Sequence, residues 1–342
     1  MHPADLLKAD PDARLAYLRR PKGIPHFIMA RQLERADLER LAAMADACRA
    51  RAATDAGRRQ LRDLLPHKRA LLYFNQPSSR TFFSFQNACF ILGMPVAETR
   101  DPAVTSEKKG ESFEDTIRTY GTYTDLLVMR HSADDASVRA VAALDRSAHP
   151  VPVVNAGSGK TEHPTQALLD IYTLMREFKG RGGIDGKTIL MAGDLKRGRT
   201  VRSLCYLLAW FKGVRIAFAA VPEFQMEPDI RVFLKERGVS FQDVDDLAEG
   251  VRTADAVYMT RVQDEHDTGG ESRKVDLTRF HFRAAYLKNM RPDAVILHPL
   301  PRREEIPAEV DDDPRAAYWR QEENGMWART ALIASIFGIR EL

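Results

Sequence analysis

The chain has 342 residues, and this length predicts about two domains. Its apolar fraction of 44% and charged fraction of 29% are typical of a folded globular protein and exclude a disordered one. Lys and Arg number 51 and Asp and Glu number 48, so the net charge is only +3, and this near balance argues against a broad nucleic-acid-binding surface.

Cysteine usage and hydropathy indicate a cytoplasmic protein that does not enter a membrane. Cys48, Cys89 and Cys205 are far apart and form neither a disulfide framework nor a C-x-x-C pair. Their apolar neighbours favour small buried thiols over a nucleophile. The N-terminus lacks the apolar segment of a signal peptide, and the longest apolar run, 88–96, is half of the about 18 residues that a membrane span needs.

The pattern of elements along the chain alternates between strands and helices. Residues 1–25 are charged and interrupted by prolines, and we interpret them as a loosely attached extension, either an interface arm or a disordered tail. The predicted helices are 31–48, 82–92, 112–123, 164–178, 199–211, 228–237 and 327–339. The predicted strands are 70–74, 126–129, 151–155, 187–192, 214–219, 256–259 and 294–297.

This alternation predicts an α/β fold of two doubly wound domains, each built on a parallel sheet covered by helices on both faces. The glycine-rich stretch KGRGGIDGK, residues 179–187, is the best candidate for the boundary between the two halves.

Arginine ends or follows strand after strand. The segments after the predicted strands read SSRT (78–81), RH (130–131), HPTQ (163–166), RT (199–200), TRVQ (260–263) and HPLPR (298–302). Ligands of open parallel sheets bind beyond the carboxyl ends of the strands, and arginine is suited to bidentate recognition of carboxylates and phosphates. The sequence therefore predicts a cationic cleft for a small, highly anionic ligand.

The SSRT turn is the sharpest of these signals, because it lies where a strand ends and a helix begins. Free N–H groups at a helix N-terminus bind phosphate, and serine and threonine hydroxyls add further donors. A plain N-cap would account for Ser78 or Ser79 alone, but a cap does not require Arg80 beside it. We therefore favour phosphate binding.

Two other motifs do not support a cofactor. GSGKT (157–161) resembles the end of a P-loop, but the required first glycine is replaced by Val154. GDLKRGR (193–199) follows a strand yet lacks G-x-G-x-x-G. The histidines and cysteines show no metal-ligand spacing, so we predict no metal and no cofactor.

The motifs SSRT, EKKGE (107–111), VMRH (128–131), HPTQALLD (163–170), GDLKRGRTVRSL (193–204), YMTRVQ (258–263) and HPLPR occur in one order along the chain. From about residue 27 to the C-terminus the chain resembles the aspartate/ornithine carbamoyltransferase family, and most closely the catalytic chains of its aspartate-specific branch.

The resemblance implies a domain division. A carbamoyl-phosphate-binding domain would comprise residues 26–163 with 325–342, and an aspartate-binding domain residues 179–324. A helix over 164–178 would cross between them, and the last helix would return to the first domain. Family chains form homotrimers whose active sites are shared between neighbouring subunits.

The resemblance also implies roles for individual residues. Those that would bind carbamoyl phosphate are Ser78, Ser79, Arg80, Thr81, Arg130, His163, Gln166 and the main-chain carbonyl of Leu300. Those that would bind aspartate are Arg199, Thr200, Arg261, Gln263, Pro301 and, reaching in from a neighbouring subunit, Lys109. The catalytic members of this set would be Arg80, Thr81, Lys109, Arg130 and His163.

The implied reaction is the attack of the aspartate α-amino group on the carbamoyl carbon with departure of phosphate, the committed step of pyrimidine biosynthesis. It needs positioning and charge stabilisation rather than a covalent enzyme intermediate. A second arginine, Arg261, suits the second carboxylate of a dicarboxylate acceptor. The sequence leaves open a regulatory chain or a dihydroorotase as partner.

Some positions depart from the family pattern. Phe82 follows SSRT where a polar or basic residue is usual, Gln76 stands where glutamate is common, and the loop TSEKKGE (105–111) is about one residue short, which puts the place of Ser106 in doubt. These departures keep two alternatives open: a carbamoyltransferase with another amine acceptor, and an inactive phosphate-binding scaffold subunit.

Several candidate residues also have structural alternatives. His163 and His298 each precede a proline and could instead cap turns, and the loop lysines could be solvated. Met326 and Trp327 are expected to pack the last helix.

Overall fold

The computed structural model describes residues 1–19, 25–101, 110–263 and 275–342. The chain divides into two compact units, one formed by residues 1–169 with 325–342 and the other by residues 170–324. The helices are α1 Pro11–Leu18, α2 Arg35–Ala52, α3 Asp55–Arg62, α4 Ser79–Ile91, α5 Phe113–Tyr123, α6 Ala136–Leu144, α7 Pro164–Glu177, α8 Arg199–Leu208, α9 Pro228–Glu236, α10 Leu247–Thr253 and α11 Tyr318–Ile336. The strands are β1 Ala70–Phe74, β2 Val96–Thr99, β3 Leu126–Arg130, β4 Val153–Asn155, β5 Thr188–Ala192, β6 Arg215–Ala219, β7 Ser240–Asp243, β8 Ala256–Met259 and β9 Val295–Leu297.

The first unit is built on a four-stranded sheet in the order β2-β1-β3-β4, in which every pair is parallel. All five residues of β1 are buried, and so are the first four of β3. Strands of this kind read as continuous apolar runs because helices cover both faces of a parallel sheet. The edge strand β2 is largely exposed and was not predicted from the sequence.

The N-terminal segment packs firmly on the first unit, so our prediction of a loose attachment is wrong for the part before residue 20. The side chains of Leu6 and Leu18 are buried in the core cluster that lies against β3. The hydroxyl of Tyr17 donates to Asp145 Oδ2 at 2.5 Å, and His26 Nε2 lies 3.2 Å from Asp145 Oδ1. The buried leucines and the polar contacts with Asp145 together hold the N-terminal segment against the first unit.

The second unit is built on a five-stranded parallel sheet in the order β7-β6-β5-β8-β9. Its core cluster combines side chains of the strands with side chains of the segments that follow those strands. Leu190, Val257 and Ile296 are fully buried in this cluster. Both units therefore confirm the predicted doubly wound α/β architecture. The unit boundaries fall inside α7 and α11.

The three cysteines are free and buried, which confirms their interpretation as small apolar side chains. Burial raises the pKa of the Cys48 thiol to about 12 and that of the Cys89 thiol to about 12 as well. Across the described ranges, no helix combines the length and apolar character that crossing a bilayer requires.

Candidate active site

The predicted phosphate cradle lies at the point where β1 ends and α4 begins. Ser78 is the N-cap residue of α4, with φ of −165° and ψ of 98°, but its side chain makes no capping hydrogen bond. The plain N-cap interpretation of that hydroxyl therefore does not hold. Ser79 and Arg80 are exposed and Thr81 is buried. The first-turn N–H groups of α4 and these side chains are donors of the kind that bind phosphate.

Phe82, the apolar residue after the cradle, belongs to the core of the first unit. Its ring is only 1% exposed and packs edge-on against Phe74 with 5.3 Å between ring centroids. The guanidinium of Arg100 lies 4.4 Å from the centre of the Phe82 ring, a cation–π contact. The departure from the family pattern thus removes a charge from the helix start and adds a core aromatic ring.

Arg130 and His163 converge on Gly157. Arg130 ends β3 and donates from Nη1 to the carbonyl oxygen of Ala156 at 3.3 Å. A Cβ placed on Gly157 would lie 2.8 Å from His163 Cδ2 and 2.9 Å from Arg130 Nη1. Both side chains therefore need a residue without a side chain at position 157. The φ of Gly157 is +101°, which also favours glycine there.

The turn that carries Gly157 is held by Asn155, the last residue of β4. Asn155 Oδ1 accepts from the backbone N–H groups of Gly157 at 2.9 Å and Ser158 at 2.7 Å. Its amide nitrogen donates to the carbonyl oxygen of Ile28 at 3.1 Å. Asn155 and Gly157 are not among the site residues predicted from the sequence. The glycines of the GSG segment were the available signal, because closely spaced glycines after a strand indicate close backbone approach.

His163 and Gln166 flank the start of α7 and are both buried. The N–H of Gln166 donates to the His163 carbonyl oxygen at 3.0 Å, which closes the first turn of the helix. Thr165, between them, is fully buried.

In the second unit, Asp194 joins two segments that carry predicted aspartate-binding residues. Its side chain is fully buried and accepts from the Arg197 N–H at 3.0 Å, Arg197 Nε at 2.9 Å and the Gln263 N–H at 3.2 Å. Burial raises the pKa of Asp194, while the hydrogen bonds from Arg197 and Gln263 oppose that shift. Asp194 therefore fixes the backbone after β8 against the loop before α8. Asp194 is not among the site residues predicted from the sequence.

Arg199 and Thr200 form the buried first turn of α8. The hydroxyl of Thr200 is buried, and the residues that the structure describes offer it no hydrogen-bond partner. An unsatisfied buried hydroxyl costs about 1–3 kcal/mol, so a polar ligand group would compensate it. Arg261, just after β8, donates from Nη1 to the carbonyl oxygen of Val262 at 2.7 Å.

Leu300 has an unusual backbone conformation, just after β9. Its φ is +46°, the one positive value among the non-glycine residues of the described ranges, and such a conformation costs about 1–2 kcal/mol. The Leu300–Pro301 peptide bond is cis. The N–H of Leu300 donates to His298 Nδ1 at 2.8 Å. The ring of His298 is fully buried, so it shapes this turn rather than facing a ligand.

The predicted site residues are divided between the two units. The first unit holds Ser78, Ser79, Arg80, Thr81, Arg130, His163 and Gln166. The second holds Arg199, Thr200, Arg261, Gln263, Leu300 and Pro301. Lys109 and Ser106 lie outside the described residues. Trp327 is buried, as expected for a residue that packs α11. No group of three or more potential metal ligands occurs in the ranges that the structure covers.

Two family models match almost the whole chain. The first, aspartate/ornithine carbamoyltransferase, carbamoyl-P binding domain, matches residues 25–176. The second, aspartate/ornithine carbamoyltransferase, Asp/Orn binding domain, matches residues 185–336. The chain belongs to the aspartate/ornithine carbamoyltransferase family. This membership confirms the resemblance that the motifs carry.

Individual relatives of this family are similar over most of their length. The chloroplastic aspartate carbamoyltransferase of Arabidopsis thaliana is 42% identical over 304 residues, which are 87% of this chain and 74% of the relative. The aspartate carbamoyltransferase catalytic subunit of Chromobacterium violaceum is 42% identical over 80% of this chain and 87% of its own. The crystal structure of Trypanosoma cruzi aspartate transcarbamoylase with carbamoyl phosphate and aspartate has a TM-score of 0.82 and 36% identity, and the alignment covers 93% and 98% of the two chains.

Proposed function

We propose that this protein transfers the carbamoyl group of carbamoyl phosphate to the α-amino group of L-aspartate, giving N-carbamoyl-L-aspartate and phosphate. The observation that carries the proposal is the convergence of Arg130 and His163 on Gly157, within the part of the chain that matches the carbamoyl-P binding domain. The relatives named as aspartate carbamoyltransferases support aspartate as the acceptor.

The first unit supplies the donors for carbamoyl phosphate. The helix start at Ser79, with Arg80 and Thr81, binds the phosphate oxygens, since both the backbone and the side chains there are donors. Arg130 and His163 donate to the carbamoyl carbonyl oxygen, on which negative charge develops during the attack, and Gln166 contacts the carbamoyl group beside them. Removal of one such donor typically costs about 10²–10³ in rate.

The second unit supplies the donors for aspartate. Arg199 and Arg261 match the two carboxylates, and Thr200 and Gln263 add polar contacts at the same strand ends. Guanidinium–carboxylate pairs are strong because their hydrogen bonds are charge-assisted and bidentate. Leu300 presents its carbonyl oxygen to the carbamoyl amide, and Pro301 borders the aspartate.

The reaction balances without a covalent enzyme intermediate. The lone pair of the aspartate amine forms the N–C bond to the carbamoyl carbon, and the C–O bond to phosphate breaks with its electrons leaving on phosphate. The departing phosphate accepts the proton that the amine loses. The enzyme contributes orientation and electrostatic stabilisation, with no metal or organic cofactor in the proposed reaction.

We also propose that the working form is a cytoplasmic homotrimer whose active sites are completed by Lys109 of a neighbouring chain. The exposed rings of Phe83 and Phe90 support self-association. They lie seven residues apart on α4, the helix that starts at the phosphate cradle, and so share one helix face. Apolar surface of this kind marks protein interfaces.

Arg261→Ala tests the assignment of the acceptor. We expect the KM for aspartate to rise about 10- to 100-fold, the effect of one lost charge-assisted pair, with the KM for carbamoyl phosphate nearly unchanged. Arg252→Ala is the matched control, since it removes the same charge from an exposed position on α10. Steady-state kinetics with each substrate varied in turn measures both constants.

The outcomes of this assay separate the three candidate functions. Turnover of aspartate but not of ornithine or other amines supports the proposal. Activity confined to another amine would favour the alternative acceptor, and binding of carbamoyl phosphate without turnover of any amine would favour the scaffold subunit. An unchanged aspartate KM in Arg261→Ala would show that Arg261 does not bind the second carboxylate.

A further inference from the structure

His298 lies at the centre of a buried hydrogen-bond network behind Leu300. Its ring is fully buried, with Nδ1 2.8 Å from the Leu300 N–H and Nε2 2.8 Å from Glu305 Oε1. Two polar contacts of one imidazole, made to a backbone amide and to a carboxylate, define its protonation. None of the substrate contacts proposed above uses this residue.

The two contacts fix the tautomer of the ring. The Leu300 amide can only donate, so Nδ1 must be the nitrogen with the free lone pair. Nε2 therefore carries the proton and donates it to the Glu305 carboxylate. Burial raises the pKa of Glu305, but hydrogen bonds from His298 and from the Arg303 N–H, the latter at 3.0 Å, outweigh it and leave that pKa below its ordinary value. The carboxylate is thus kept ionised as the acceptor.

The backbone of His298 is held as well as its ring. Its N–H donates to Gln321 Oε1 at 2.9 Å, and Gln321 Nε2 donates to Asp170 Oδ1 at 2.6 Å. The other carboxylate oxygen of Asp170 accepts from the hydroxyl of Tyr258 at 2.7 Å. His298, Gln321 and Asp170 are all fully buried. A network with this many satisfied members defines one conformation of its parts.

The residue that the network ends on is the one with the strained backbone. Leu300 keeps a φ of +46° although it has a branched side chain, and such outliers persist only where surrounding structure imposes them. The N–H of Leu300 donates to His298 Nδ1 at 2.8 Å, so the buried ring contacts the backbone of the strained residue itself.

We propose that His298 is a positioning residue that, held as its Nε2–H tautomer by Glu305, imposes the backbone conformation in which Leu300 presents its carbonyl oxygen to the carbamoyl amide. The proposal rests on the carbamoyltransferase function proposed above. His298 itself does not touch the substrate. Its acceptor nitrogen acts through the Leu300 peptide.

Two amide substitutions separate the contacts of the ring. In His298→Asn the side-chain oxygen can take the place of Nδ1 and still accept from the Leu300 N–H. In His298→Gln the longer side chain reaches the place of Nε2, so it keeps the contact with Glu305 and loses the acceptor for Leu300. We expect His298→Gln to raise the Kd and KM for carbamoyl phosphate about tenfold, the effect of one misplaced hydrogen bond. His298→Asn should recover most of that loss.

Thermal unfolding of both variants provides the structural readout. If His298 only fills the core, affinity will follow stability and the two variants will be impaired alike. Equal impairment of carbamoyl phosphate binding, or none in either, would overturn the positioning role.

Two further measurements keep the proposal testable if a variant does not fold, or if aspartate is not the acceptor. Nitrogen-15 NMR of the full-length wild type with labelled histidine reports the tautomer directly, and a proton on Nδ1 of His298 would refute the proposal. Calorimetric binding of carbamoyl phosphate to the two variants needs no acceptor. Failure of aspartate turnover would therefore count against the proposed function, while the order of the variants would still decide the role of His298.

Discussion

At the scale of single residues, Gly157 is a position in the candidate site at which the structure requires glycine. An alanine there would bring its Cβ within 3 Å of both His163 and Arg130, and would also have to adopt a φ of +101°. The two donors would move apart, since the backbone side of the contact is fixed by Asn155. We expect Gly157→Ala to lower kcat/KM about 100-fold or more, comparable with loss of an oxyanion donor.

The control for this variant is Gly182→Ala. Gly182 also has a positive φ, +82°, but no atom lies within 4 Å of a Cβ placed there. It therefore carries the same kind of backbone strain without the steric conflict. Steady-state kinetics and thermal unfolding of both variants measure the difference. Comparable activity of the two would show that Arg130 and His163 tolerate a methyl group at position 157.

The residues that the sequence predicts for the site and those that only the structure identifies differ in how they act. Arg80, Arg130 and Arg261 could be proposed as ligand-binding residues because their position after a strand and their chemistry are visible in the sequence. His298 contacts Leu300, two residues away, and turn capping by His298 was one of the interpretations that the sequence left open. The role of Asp194 was not predictable, because it depends on a donor that is distant in the chain: the Gln263 amide lies 69 residues after Asp194. Such roles arise from tertiary contacts, and a short motif does not encode them.

At the scale of elements, two edge strands of the sheets were not predicted from the sequence. The central strands β1, β3, β5 and β8 were predicted because burial on both faces makes them continuously apolar. The edge strands β2 and β7 have mostly exposed side chains and were missed. Residues 1–18 were misjudged for a different reason, since charged residues and prolines separate the three leucines, Leu6, Leu15 and Leu18, that are buried.

Adjacent leucines in that segment allow a direct test of its attachment. Leu6 is fully buried and Leu7 is 36% exposed. We expect Leu6→Ala to lower the free energy of unfolding by about 2–5 kcal/mol, because it leaves a cavity in the core. Leu7→Ala should change it by about 0.5 kcal/mol or less. Urea unfolding measures both, and equal effects would show that the N-terminal segment is not part of the folded core in solution.

At the scale of the whole molecule, a net charge of +3 conceals how the positive charges are distributed. Many arginines are paired with nearby carboxylates, as Arg302 is with Asp311 and Arg315 with Asp313. The pKa of Asp311 and that of Asp313 lie below their ordinary values because of these arginines. The predicted ligand-binding arginines are therefore a small subset of the basic residues, which is why composition alone did not reveal an anion site.

At this scale, the proposed sharing of active sites between neighbouring chains can be tested with trimers that mix two variants. Lys109→Ala and Arg261→Ala should each be nearly inactive at low aspartate concentration, because each removes one charge from the proposed aspartate site. Mixed trimers would contain sites that combine Arg261 of one chain with Lys109 of its neighbour, both unchanged. We therefore expect activity to reappear when the two variants are dissociated, mixed and reassembled.

Native mass spectrometry should give about three times the chain mass of 38.6 kDa. A monomeric mass, or a mixture no more active than its separate variants, would contradict shared active sites.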